Sequence, residues 1–191
     1  MKINFFRFLG LVVALGTTAV LLESRTKSHQ YIAPDGGGRV AVVPIGKESG
    51  RADYESRIEF RSADNNLLCA LDYSSEDAEH GFGVVKAEWT PDSQYFVFSL
   101  TSSGGHQAWH APTQFYSRKE GFVHSLDDYF ESGITSADFQ LITPNTVKTE
   151  IRDGKSVSVK LDALPALRSW RRAKPFIVEC KGGRSIRVEQ P

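Results

Sequence analysis

The chain has 191 residues and balances 23 basic against 23 acidic side chains. It therefore lacks the basic footprint that displaces counterions from phosphate backbones, which excludes a general nucleic-acid binder. Forty per cent hydrophobic against 24% charged residues is too apolar for wholesale disorder, and the length fits one core or a few repeats rather than two independent domains.

The first 22 residues form a separate unit. Lys2 and Arg7 lead into Phe8–Leu22, an uncharged apolar run of 15 residues. A basic start followed by an apolar stretch of this length is a secretory signal pattern. Small residues place cleavage after Gly16, with Ala14 at −3, or after Ala19, with Thr17 at −3. Left uncleaved, residues 3–22 approach the roughly twenty needed to span a bilayer and would anchor the chain. Either way the expected location is outside the cytoplasm, periplasmic or secreted, with membrane contact only through that segment. No cysteine follows the run, so a lipoprotein anchor is excluded.

The remainder, residues 31–191, reads as a single all-β domain. A Pro34-Asp35-Gly36 turn precedes the β-branched run Val40–Val43. Ser56–Arg61 alternates apolar and polar, the period of a strand, and returns through Ala63–Asn66 into Leu67–Asp72. Val84–Trp89, the turn at Pro91-Asp92 and Phe96-Val97-Phe98 follow. Apolar residues on consecutive positions of a strand require cover on both faces. Thr113–Ser117 and Gly121–Asp127 form a further hairpin. Phe139–Asn145 repeats the strand-and-turn idea, and Thr146–Ile151 pairs with Ser156–Asp162 across an Asp153-Gly154 turn. A short helix is expected over Ala163–Arg172, where Leu164, Leu167 and Trp170 share a stripe. Pro175–Cys180 and Ser185–Glu189, flanking Gly182-Gly183, are expected to form a last hairpin.

The Pro-Asp/Asn pairs begin at 34, 91 and 144, and Leu-Asp pairs at 71, 126 and 161. This spacing divides the chain into units of about 31–73, 84–128 and 137–162, with helix and hairpin over 163–189. Trp89, Pro91, Asp92, Phe96 and Phe98, then Gly104, Gly105, Phe115 and Leu126, resemble a TolB-type β-propeller repeat. The resemblance implies twisted antiparallel sheets whose faces pack on neighbouring sheets. Propellers close with four or more blades. Three units therefore form an open or sandwich-like stack, or several chains complete a ring as an oligomer. Propeller repeats serve in binding modules and in non-catalytic domains, so the likeness implies no reaction by itself.

Candidate chemistry is sparse. His106 and His110 stand four apart in a loop holding Gly104, Gly105 and Pro112, a pair of metal-ligand type without the helix that would align it. Trp109, Phe115 and Tyr116 share that region and, with the histidines, form the candidate binding surface. No nucleophile elbow or placed triad is present, no catalytic residue is assigned and no cofactor is called for. Cys69 and Cys180 lie in apolar strands and have two readings, a disulfide closing a long loop or two buried thiols. The sequence thus points to an exported binding or scaffold protein with a protein or envelope component as partner. The alternative is a metal-dependent or carbohydrate-directed hydrolase using the His106/His110 loop.

Overall fold

The computed structural model describes residues 28–46, 55–105, 109–130, 133–164 and 176–188. The leader, His106 and the expected helix beyond Leu164 lie outside these residues. Among the described residues no helix is long and apolar enough to cross a membrane.

Among the described residues thirteen strands make three sheets. The first contains β1 (His29–Ile32), β2 (Gly38–Ile45), β3 (Glu55–Ser62) and β4 (Leu67–Asp72). The second contains β5 (Phe82–Trp89), β6 (Tyr95–Ser102), β7 (Thr113–Ser117) and β8 (Phe122–Ser125). The third contains β9 (Gln140–Ile142), β10 (Thr146–Ile151) and β11 (Lys155–Lys160). Two strands from the chain's end, β12 (Ile177–Glu179) and β13 (Arg184–Arg187), join the first two sheets. The strand orders are β1-β2-β3-β4-β13, β5-β6-β7-β8-β12 and β9-β10-β11, and no sheet closes into a barrel. All pairings are antiparallel except β13 with β4.

Two apolar layers hold the stack together. Val40, Ile58, Phe60, Leu71, Phe96 and Phe98 fill the space between the first and second sheets. Val97, Phe115, Leu126, Phe139, Val147 and Leu161 fill the space between the second and third. Phe96 and Phe98 thus face one layer and Val97 the other, so the apolar run of β6 is covered on both faces as its pattern requires. The second sheet is the middle one. Trp89 closes the first layer at one end: its Nε1 donates to the carbonyl of Tyr31 at 3.1 Å and its ring lies against Phe96. It also sits over Gly38, where an added Cβ would be 3.4 Å from the indole.

The three Pro-Asp/Asn turns line one rim and touch in succession. The Asp35 amide donates to Ser93 Oγ at 3.1 Å, and Arg118 Nη1 donates to Asp35 Oδ2 at 2.7 Å and to the Ser93 carbonyl at 2.9 Å. One sheet further on, Asn145 Nδ2 donates to Asp92 Oδ2 at 2.8 Å and to Asp162 Oδ2 at 3.3 Å. Each turn therefore fixes the next, and the stack is pinned at the rim as well as through its layers.

The end of the chain departs from the local pattern. The expected last hairpin does not form: β12 pairs with β8 of the second sheet and β13 with β4 of the first. The physical reason is that β4 and β8 both present bare edges, and pairing each with its own strand satisfies more backbone than a two-stranded hairpin would. Gly182 and Gly183, at φ of 75° and 66°, carry the chain from one sheet to the other. Cys180, beside that crossing, is disulfide-bonded to Cys69 of β4, and both are buried.

Candidate binding site

Of the candidate binding surface, His106 lies outside the described residues, and the structure does not gather Trp109, His110, Phe115 and Tyr116 into one site. Trp109 is 62% exposed on the loop at the rim opposite the Pro-Asp turns. Phe115 and Tyr116, successive residues of β7, point to opposite faces and are buried in different layers. Phe115 belongs to the layer between the second and third sheets, and Tyr116 packs on Phe60 at 4.5 Å in the other. Strand geometry dictates this, because adjacent side chains alternate.

His110 has a defined role at that same rim. Its Nε2 lies 2.8 Å from Oδ1 of buried Asp127. Asp127 also accepts from the amides of Thr113 at 2.9 Å and Ile134 at 2.8 Å. One carboxylate thus ties the loop, the start of β7 and the connection into the third sheet. Glu55 does similar work between the first and second sheets. Though buried, it accepts from the Ser75 amide and hydroxyl, the Gly81 amide and Ser103 Oγ. Gly81 must be glycine here, since a Cβ would collide with the Glu55 carboxyl group and the Tyr73 carbonyl oxygen. Among the described residues no group of three or more His, Cys, Asp or Glu could hold a metal ion.

A cleft of about 200 Å³ opens at the Pro-Asp rim between the second and third sheets. Tyr95, Phe115, His124 and Tyr129 supply its aromatic walls, and Lys119, Glu120 and Asp162 its charges. His124 stacks on Phe115 with centroids 5.0 Å apart, and its Nε2 lies 2.9 Å from Glu120 Oε2. Burial lowers the pKa of His124 below the ordinary value, and nearby Glu120 opposes that shift. Burial, followed by the charges of Asp162, Glu120 and Asp92, raises the Tyr95 phenol; burial with Glu120 and Asp128 raises that of Tyr129. Both phenols therefore stay protonated at neutral pH. Among the described residues of that candidate surface, Phe115 alone lines this cleft. The other lining residues are scattered from Tyr95 to Leu164, and only the hairpin ends and the Leu-Asp pair at 161 marked their neighbourhood. No family model, curated protein or solved structure matches the chain.

Proposed function

We propose that this chain is an exported binding or scaffold protein of the cell envelope, built from TolB-like propeller-type units in an open stack. The observation that carries the binding reading is the cleft between the second and third sheets. It has an aromatic wall, two phenols and charges of both signs, the composition of a recognition site rather than of a nucleophile with its base. The leader pattern of residues 1–22 supports export, and the buried Cys69–Cys180 bridge suits an oxidising compartment. The polar outer face of the first sheet, where Arg57 and Arg61 flank Glu59, supports an open stack over a ring closed by further copies. The partner is a protein or envelope component. Cross-linking of the purified chain in envelope extract, followed by mass spectrometry, tests this. Capture of one component, lost in Tyr95→Ala/Asp162→Ala, supports the reading; equal capture by the variant sinks it.

A metal-dependent hydrolase using the His106/His110 loop has one observation in its favour. Asp127 holds His110 through Nε2, which leaves Nδ1 to act as a ligand, the way carboxylates orient metal-binding histidines. About one zinc per chain in the purified protein, lost in His110→Ala, would favour this reading over binding alone.

A further inference from the structure

Among the described residues the third sheet has three strands where each of its neighbours has five. The first and second sheets run four consecutive strands and gain a fifth from the chain's end, whereas the third stops at β11. Within it, Leu161 donates to the Asn145 carbonyl on the same ladder that pairs Val159 with Val147 and Val157 with Thr149. Antiparallel pairing alternates, so Ser156, Ser158 and Lys160 direct their N–H and C=O groups away from β10. Among the described residues these groups have no backbone partner.

Cover also fades at this edge. Val147 and Thr149 on β10 are buried, but Val159 and Val157 opposite them are only partly so. The fourth strand of the second sheet, β8, carries His124, and the cleft opens between it and the residues that follow β11. A second copy is a poor occupant. Lys155–Lys160 holds two lysines and no acid, so a second copy of this strand would offer Lys155 no carboxylate. Lys160 is neutralised by Asp162 at 3.2 Å, which leaves Lys155 as the charge a partner must meet.

We infer that β11 is a docking edge for an extended peptide segment of a partner protein. The segment adds antiparallel to Lys155–Lys160, with apolar side chains opposite Val157 and Val159 and a carboxylate opposite Lys155. Main-chain hydrogen bonds supply affinity and the alternating side chains supply register. This inference rests on the binding reading above and specifies the partner's chemistry.

The probe is a fluorescein-labelled peptide, Thr-Val-Thr-Val-Thr-Glu, followed by fluorescence anisotropy against the full chain. Saturable binding is expected. Ser158→Pro removes an outward donor without touching the β10 ladder, and should weaken binding at least tenfold while the circular-dichroism melt stays in place. Lys155→Glu should weaken binding of this peptide and strengthen binding of the version ending in lysine. That charge swap decides the matter if Ser158→Pro fails to fold. No saturable binding to the wild type, or binding indifferent to both variants, overturns the docking edge. Capture of an envelope component that survives both variants would overturn the edge while leaving the binding reading in place; capture of nothing removes both.

Discussion

Replacing Cys69 and Cys180 together by alanine removes a cross-link between residues 111 apart in sequence. The loop-closure entropy that the bridge takes from the unfolded chain comes to about 4.8 kcal/mol at 25 °C for a separation of that size. Both side chains are buried, but losing only a sulfur from each adds little to that figure. For a domain of this length each kcal/mol moves the midpoint by about 2–4 °C, so the double variant should melt about 10–20 °C lower than the oxidised wild type. Scanning calorimetry measures the shift, and a thiol titration in denaturant confirms that the wild type carries no free cysteine. Hydrogen exchange adds a local readout. The amides of β12 and β13, held by three and four residue pairs respectively, should lose protection before those of β6. A midpoint lowered by less than about 3 °C would refute the reasoning, because the unfolded chain would then not be restrained as the loop size demands.

Asp127→Ala should destabilise the fold by about 3 kcal/mol, because it strips buried amides of Thr113 and Ile134 of their acceptor; a chemical denaturation curve with unchanged slope checks this. Phe60→Ala, at a fully buried position touching Phe96, Phe98 and Tyr116, should cost about 3–5 kcal/mol by the same measurement. Burial holds His124 below its ordinary pKa of 6.5, so the unfolded chain takes up that proton first as pH falls. The stability this group contributes is complete above the ordinary value and is lost as pH drops through it toward the lower folded value. Between about pH 7.5 and about pH 5.5 the wild-type midpoint should therefore fall more steeply than that of His124→Gln, and equal slopes would contradict the assignment.

What could be read from the residues and what could not divide along the range of the interactions involved. Strands and turns are local. The alternation of Ser56–Arg61 and the turn at Arg152–Lys155, where Asp153 takes φ of 81°, appear in the structure where the pattern puts them. The three-sheet stack followed from the spacing of the Pro-Asp/Asn turns, and burial on both faces of β6 from Phe96-Val97-Phe98. Phe115-Tyr116 carries the same signal: two aromatics in succession on a strand between hairpins need two covered faces, not a shared surface, and both are buried. The fate of the last two strands was not legible. Gly182-Gly183 is good hairpin chemistry, and only the bare edges of β4 and β8, over fifty residues apart in sequence, divert the strands to separate sheets. The cleft was equally hidden. Tyr95, His124 and Asp162 share no motif and meet only because the second and third sheets stack.

Because β13 lies beside β4, the first sheet to be synthesised is completed by residues made only after the consecutive strands of the second and third sheets. Until about residue 188 has emerged, β4 and β8 both wait with open edges while their apolar layers are free to collapse. Pairings this distant in sequence slow folding, and a nascent chain with two bare edges is a target for wrong partners. A chain truncated before Ile177 would be no smaller version of this protein but a permanently unfinished one.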